Sequence, residues 1–586
     1  MTTRMKLPTI AYFSMEIALE AKIPTYSGGL GILAGDTLRS AADLGVPMIG
    51  VTLVYRKGYF RQRLDEWGNQ REEPQNWSPE QTLQPVDVRV SVSIEDRQVA
   101  LRAWKFTVMG INGDMVPVYL LDTDLPENTP GDRSLTDYLY GADEHYRLCQ
   151  ETILGFGGLQ LLRKVGHTDI QGYHMNEGHS ALLALGLLER RLDQSFSGRV
   201  KKVDMDSVRR MCIFTTHTPV PAGHDQFPRA MVEQILGADK VALLDEAQAW
   251  HEGALNMTYL ALRFSGYVNG VAMRHGEVSQ GMFPNYTISA ITNGVHAVTW
   301  TSEPFRRLFD RYIPAWRYDN NYLRYAISIP LEEIRTTHEE AKKDLFLAIR
   351  ERTGAVLDPA VLTLGFARRA STYKRGDLIF HNPEKLRFIA RNVGPLQLVY
   401  GGKAHPRDDG GKNIIRKVHG GAASLADVIK TVYVENYDMD WGGKITSGGD
   451  IWLNTPRRPQ EASGTSGMKA ALNGVPSFSV VDGWWFEGLI EGVTGWAIGS
   501  SEITEDPEVE VATLYDKLER EIVPTFYGRP QSFANVMRSA IALNGSFFNT
   551  QRMVQQYVGN AYLLREEALP AVVSAIPERV VEESNR

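Results

Sequence analysis

The clearest pattern lies in the second half of the chain. Short apolar runs, "AVLTLGF", "PLQLVYGG", "TVYVENY", "DIWLN" and "VPSFSVV", follow one another with helical segments between several of them. None alternates apolar with polar positions, so each reads as a strand covered on both faces, in a parallel sheet flanked by helices. Ahead of them "HEEAKKDLFLAIRERTG" has helical periodicity and stops at Gly354. In the first half "TIAYFSM" and "VPMIGVTLVY" read as buried strands, with the glycine turn "YSGGLG" and a helical stretch between them. From Val86 to Val118 the pattern changes to alternation ("VDVRVSVSI", "VALRAWKFTV", "MVPVYLL"), which predicts antiparallel strands. "SLTDYLYGADEHYRLCQETILGFGGLQLLRKVG" is helical in period, and "MCIFTTHTPV" predicts a strand leading into a polar loop. The residues 291–304, "ITNGVHAVTWTSEP", read as a connector, which divides the chain near 295 into segments 1–295 and 296–586. From about residue 525 the pattern is mostly helical, and packing of these helices back across the boundary is one arrangement open to them.

A length of 586 residues predicts at least two domains with ample core. The formal net charge is −7, from 63 basic and 70 acidic residues, which argues against general nucleic-acid binding while leaving room for a local basic pocket. Two cysteines, Cys149 and Cys212, are too few for a disulfide scaffold. The N-terminal residues lack a secretory apolar core, and no apolar run reaches the roughly 18 residues of a membrane span. A cytoplasmic protein with no membrane partner is expected.

The predicted parallel sheet says where to look for chemistry, because ligands bind at the carboxyl ends of such strands. The segments after the strands are polar and charged: "ARRASTYKR", "GKAHPRD", "ENYD" and "NTPRRPQEASGTSG". The first belongs to a basic cluster, Arg368, Arg369, Lys374 and Arg375. On a helix start this would be a solvated charge run; at the end of a buried strand it implies an anionic ligand, phosphate above all. The turn with Gly28, Gly29 and Gly31 is neither GxGxxG nor a P-loop, and it becomes informative as a second donor of backbone N–H groups across a cleft. In "EASGTSGMKAALNG", Lys469 follows a Ser/Gly/Thr turn where a helix begins. The helix dipole repels a cation there and lowers the amine pKa. Such a lysine is either a counter-charge to a bound phosphate or the attachment point of a phosphorylated cofactor, since Schiff-base formation requires a neutral amine. "HMNEGHS" (His174, Glu177, His179) lacks zincin spacing, and "TTHTPVPAGHD" offers His217 and His224 on a loop; no metal site is expected. The aromatic run from Trp484 to Phe486 reads as core or loop anchor.

Taken together these motifs make the chain resemble the α-glucan phosphorylases, the glycogen, starch and maltodextrin phosphorylase family, in a short prokaryotic form. The resemblance rests on eight stretches in order: "AYFSMEIALE", "YSGGLGILAGDTLRSAADLG", "HMNEGHSALL", "TTHTPVPAGHDQFP", "ITNGVHAVTW", "ARRASTYKRGDL", "VENYDM" and "EASGTSGMKAALNG". It implies an α/β fold of two Rossmann-like domains facing across a cleft, the GT-B type. It also implies pyridoxal 5′-phosphate carried on Lys469. By the same resemblance Thr465, Ser466 and Gly467 supply N–H groups to the cofactor phosphate, with Arg368 as counter-charge where better-known members have lysine. Arg369 and Lys374 match the residues that hold the substrate phosphate, which the N–H of Gly29 reaches from the other domain. His217 and Asn293 match sugar-binding positions near the glucose 6-hydroxyl, and Tyr373 and Glu461 match positions on the other hydroxyls. Ser463 and Gly464 also fall among the substrate-binding positions, and His179 matches a histidine of the family's "N-[DE]-x-H" stretch.

The implied reaction is glucan plus orthophosphate giving α-glucose 1-phosphate and a shortened glucan, with retention. Lys469, Arg369, Lys374 and His217 are the expected catalytic set, and the cofactor phosphate is expected to act as proton buffer for the substrate phosphate. Two phosphates in one pocket raise each other's second pKa until a proton is shared. The motifs contain no evident pair of glycosidase carboxylates. Three departures from the family pattern stand out. No long extension precedes "AYFSMEIALE", so regulation is expected to be absent or different. Asp438 stands where longer members have arginine, and Ser466–Gly467 replaces the common Gly–Asn. Members of the family are commonly dimers, and no residue pattern here marks an interface. The alternative is a nucleotide-sugar glucan synthase on the same fold. Many of these place a second glutamate eight positions after the first; here Glu461 is followed at that position by Lys469. A third reading, an inert glucan-binding protein, predicts loss of Lys469, Arg369 or Lys374, and all three are present.

Overall fold

The structure is a computed structural model that describes residues 7–141, 143–195, 199–220, 223–500 and 507–563. Two large sheets account for most of its strands. The first contains β1 (Ile10–Ser14), β2 (Met48–Leu53), β3 (Gln84–Ile94), β4 (Arg97–Met109), β5 (Met115–Asp122), β6 (Gly172–Asn176), β7 (Cys212–Thr215), β8 (Tyr267–Gly270) and β9 (Ser289–Ala290). Their order is β9-β8-β7-β6-β1-β2-β5-β4-β3. Pairing is parallel from β9 to β5, whereas β3, β4 and β5 form an antiparallel meander, as the alternating pattern predicts. The parallel strands β1 and β2 are buried at every position, which is why their sequences do not alternate.

The second sheet contains β10 (Leu362–Ala367), β11 (Leu396–Gly401), β12 (Ile429–Val434), β13 (Ile451–Asn454), β14 (Ser477–Val480) and β15 (Gly495–Ile498). All pairs are parallel, in the order β12-β11-β10-β13-β14-β15. This is the doubly wound order, and its direction reverses between β10 and β13, where a crevice opens beyond the strand ends. Five of the six strands are the five predicted apolar runs. The sixth, β15, is a four-residue edge strand whose run "GWAI" is too short to stand out. The helix Leu331–Thr353 ends where predicted, with Gly354 in the left-handed region at φ 74°. The stretch read as one helix after Ser134 is broken: a short turn at Ser134–Thr136, a loop, then a helix beginning at Glu144 that Asp143 caps. "ADEH" supplies a better N-cap than a continuation.

Two devices cross between the sheets. The hairpin Arg61–Leu64/Gln70–Glu73 reaches from the first half onto loops of the second, where Gln62 Nε2 donates to Gly402 O (2.9 Å) and Arg63 pairs with Glu435. In the other direction, the helix Thr550–Tyr557 packs on the helix Gly29–Asp43, with Ser40 Oγ and Thr550 Oγ1 2.6 Å apart. Tyr557 Oη lies 3.0 Å from Thr215 Oγ1 and accepts from Asn269 Nδ2 (2.9 Å), and Tyr562 Oη lies 2.8 Å from His174 Nδ1. All five residues are buried. Tyr557→Phe removes one hydrogen bond from each of Thr215 and Asn269, which keep their others, at nearly unchanged volume, and is expected to cost about 1 kcal/mol and lower Tm by a few degrees in a calorimetric scan.

Candidate active site

The carboxyl ends of both sheets face one cavity of about 1100 Å3. From the first half it is lined by Glu16 after β1, the turn Ser27–Gly29, Glu177 and His179 after β6, and His217 after β7. From the second half it is lined by Arg368, Arg369, Tyr373 and Lys374 after β10, and by the loop after β13 that runs through Glu461 to Lys469. The reversal point of the second sheet therefore supplies its two richest walls. Asn293 lines the cavity from the connecting segment. Of the site residues that the family resemblance implies, only Gly467 does not line it, and of the basic cluster only Arg375 does not. A Cβ on Gly467 would stand 2.7 Å from the Trp484 ring, so this glycine lets the helix Ser466–Leu472 pack against β14 and Trp484. Gly464 has φ 87°, a conformation that requires glycine, and it turns the chain into that helix.

Lys469 is buried with its Nζ 3.4 Å from the centroid of the Trp300 ring. Trp300 is itself held by donation from Nε1 to Asp36 Oδ2 (2.7 Å). Burial is the main reason the amine pKa falls to about 8; Asp36 opposes the shift and Arg39 adds to it. As pH rises through about 8 the amine loses its proton, well below the ordinary lysine value of about 10.4. Labelling of Lys469 by a carbonyl reagent and borohydride should therefore rise with pH, with its midpoint near 8, read by peptide mass; a midpoint near the ordinary lysine value of about 10.4 would contradict the burial effect.

The cations differ in how they are held. Arg368 Nη2 and Lys374 Nζ both donate to Glu461 Oε2. Burial alone would raise the Glu461 pKa, but Arg368 and Lys374 outweigh it and hold the carboxyl below its ordinary range. Arg368 Nε and Nη1 and Ser463 Oγ are buried without a hydrogen-bond partner. Arg369 is exposed to the cavity and, among the described residues, forms no ion pair. Burial opposes its charge, yet Tyr373, Tyr59 and Glu16 raise its pKa above the ordinary value. Across the cleft a Cβ on Gly28 or Gly29 would have nothing within 4 Å, so these glycines leave the helix start Gly29–Asp43 open to close approach. Unsatisfied guanidinium donors, a free-standing guanidinium, an open glycine turn and a buried amine form a donor set that suits a phosphorylated ligand beside a second phosphate.

The imidazoles serve differently. Burial, and secondarily His275, His174 and His179, push the His217 pKa down to about 3. The ring is thus neutral, and its Nε2–H donates to Asn176 Oδ1 (2.6 Å), which leaves Nδ1 as an acceptor. Burial likewise takes His179 down to about 3; its Nε2 lies 3.3 Å from Asp225 Oδ2 and its Nδ1 has no partner. Asn293 Oδ1 is also buried and unpartnered, while its carbonyl accepts from Arg552 Nη2 (2.9 Å). These are acceptors and weak donors aimed at neutral polar groups such as hydroxyls, not proton-transfer groups.

Several lining residues escape sequence reasoning. Glu16 accepts from Ser27 N and Gly28 N and from Tyr140 Oη, and so braces the glycine turn; a Cβ on Gly31 would meet it at 2.7 Å. Lys403 Nζ donates to Phe60 O (3.0 Å), and burial takes its pKa to about 8 against the pull of Asp438. Asp438 caps the helix Met439–Gly448 by accepting from Trp441 N (3.0 Å), and burial raises its carboxyl pKa. Glu16 lies inside "AYFSMEIALE" and Trp300 inside "ITNGVHAVTW", so the quoted stretches contained them without marking them. Among the described residues no group of His, Cys, Asp and Glu could hold a metal ion, and no helix is long and apolar enough to cross a membrane.

Comparison with known proteins places this arrangement. The family model described as carbohydrate phosphorylase matches residues 16–108 and 226–491, more than half of the chain. The maltodextrin phosphorylase of Thermococcus litoralis is 39% identical, over 96% of this chain and 72% of its own. The glycogen phosphorylase of Mycobacterium tuberculosis is 36% identical, over 95% of this chain and 71% of its own. That of Aquifex aeolicus is 35% identical, over 95% and 87% respectively.

Proposed function

Because the chain belongs to the carbohydrate phosphorylase family, we propose that it releases α-D-glucose 1-phosphate from α-1,4-glucans such as glycogen, starch or maltodextrin, with orthophosphate as the attacking group and retention at the anomeric carbon. The observation that carries this reading is the convergence of Arg368, Arg369 and Lys374 on the cavity that also holds the buried amine of Lys469. The fit of pyridoxal 5′-phosphate rests on the same residues. Lys469 would carry it, and the unpartnered Arg368 nitrogens, Thr465 and Ser466 would face its phosphate, while Gly467 contributes through helix packing. When bound, this group supplies a second phosphate that buffers the proton of the substrate phosphate.

The chain's own residues do the rest. Arg369 and Lys374, with the open N–H of Gly29, hold orthophosphate; Arg369 brings a guanidinium that forms no ion pair among the described residues. Tyr373, Glu461, Ser463 and Gly464 face the sugar from the second half. From the first half, His217 Nδ1 and Asn293 Oδ1 accept from its hydroxyls, and His179 continues this wall. The held phosphate gives its proton to the glycosidic oxygen as the C1–O bond breaks, and one of its oxygens then bonds to C1 on the same face. The synthase alternative has no support: the relatives 35–39% identical over most of the chain are named phosphorylases, and the position of the nucleotide-binding glutamate holds Lys469. A cytoplasmic location and a homodimer belong to the same proposal.

The test is release of glucose 1-phosphate from maltodextrin by protein loaded with pyridoxal phosphate. Release that requires orthophosphate and ignores nucleotide sugars is the expected result; release of free glucose, or transfer from a nucleotide sugar alone, would overturn it.

A further inference from the structure

The basic cluster after β10 contains a fourth cation, Arg375, that the reading above does not use. Its backbone is left-handed (φ 45°), a conformation that non-glycine residues hold only when their surroundings enforce it. That conformation ends the turn Thr372–Lys374 and sends successive side chains apart: Lys374 into the cavity, Arg375 away from it. The Arg375 guanidinium spans three acceptors. Nε donates to Thr455 O (2.9 Å), and Nη2 donates to Pro456 O (2.7 Å) and pairs with Glu510, a buried residue of the helix Pro507–Lys517.

The loop so gripped holds Lys374 from both sides. Thr455 Oγ1 donates to the carbonyls of Lys374 (3.1 Å) and Arg375 (2.9 Å), and Arg457 N donates to Tyr373 O (2.7 Å). The same loop leads to Glu461, the acceptor for Lys374 and Arg368. The loop that holds the Lys374 backbone is thus gripped by one guanidinium and one carboxylate outside the cavity, and Glu510 also pairs with Arg458 of that loop (3.5 Å). We propose that Arg375 and Glu510 are positioning residues that fix Lys374 for orthophosphate. The proposal rests on the phosphate reading of Lys374.

Glu510→Gln and Arg375→Lys separate a positioning role from a merely structural one. Glutamine keeps the volume and one acceptor but loses the charge, and lysine cannot span three acceptors at once. On the loaded enzyme each should raise KM for orthophosphate about tenfold while KM for maltodextrin stays within about twofold, because only the phosphate side of the site is disturbed. The double variant should fall short of the sum of the two singles, since both break the Arg375–Glu510 pair. Equal change in both KM values, no change in either, or additive effects in the double variant would overturn the proposal. Lys374→Met is the control. An unchanged phosphate KM there overturns the phosphate reading and the proposal with it. A raised phosphate KM there, with Glu510→Gln and Arg375→Lys both unchanged, overturns the proposal alone. If Glu510→Gln does not fold, Arg375→Lys decides by the same two constants.

Discussion

Lys469→Ala is expected to lose glucose 1-phosphate release by about 10³-fold or more, roughly 4 kcal/mol of transition-state stabilisation, because the amine proposed to carry the cofactor is gone. The protein should still fold. The substitution removes a buried ammonium that burial already disfavours, and the helix Ser466–Leu472 gains alanine's helix propensity. Lys469→Arg sharpens the test. It keeps a cation over Trp300 but removes the neutral amine, so a counter-charge role predicts substantial activity and an attachment role predicts almost none. Initial rates, together with the mass of the borohydride-reduced peptide containing residue 469, distinguish them. Full activity in Lys469→Ala would end the cofactor assignment.

Arg369→Ala is the second large effect. Arg368 and Lys374 already share Glu461, so each enters phosphate binding partly neutralised. Arg369, which forms no ion pair among the described residues, offers the cavity a guanidinium whose charge its neighbours reinforce. Loss of two charge-assisted hydrogen bonds should reduce kcat/KM for orthophosphate by about 10²–10³-fold. Arg369→Lys should recover part of it, since an ammonium restores charge without the fork. Assays at varied orthophosphate and fixed maltodextrin read the effect, and an unchanged phosphate dependence would remove Arg369 from the site.

The sequence is most legible where local physics and tertiary fate agree. The strands β10, β11, β13 and β14 are buried at every position, and β12 exposes only Lys430, so their apolar runs do not alternate cleanly, and the loops that follow them announce their chemistry by charge. The meander β3–β5 is legible because one face is wet. β15 is not, being four residues long with a glycine at its start. In the site, the residues that come in dense motifs were readable: the cationic run after β10, the turn before Lys469, the glycine turn. The bracing was not. Glu16 beneath the glycine turn, Asp36 behind Trp300, and the grip of Arg375 on residues 455, 456 and 510 join positions that lie far apart in the chain, and periodicity carries no information about such pairs. Conversely, Gly467 looks like a phosphate-loop glycine in sequence, whereas in space it makes room for Trp484.

The helix Thr550–Tyr557 has a consequence for how the protein is made. Tyr557 and Tyr562 lie in the same buried cluster as Tyr12, Leu33 and Leu38, and the strands of the first sheet are complete by residue 290. At bacterial-scale synthesis rates of about 5–20 residues per second, the ribosome adds the intervening segment over roughly 15–60 s. Throughout that interval the first sheet stands with part of its core uncovered, while the second sheet is built beside it. The two halves cannot mature one after the other: a segment made after the second sheet completes the first sheet to form, and the nascent chain has a long window in which a chaperone, or a wrong partner, can occupy that face.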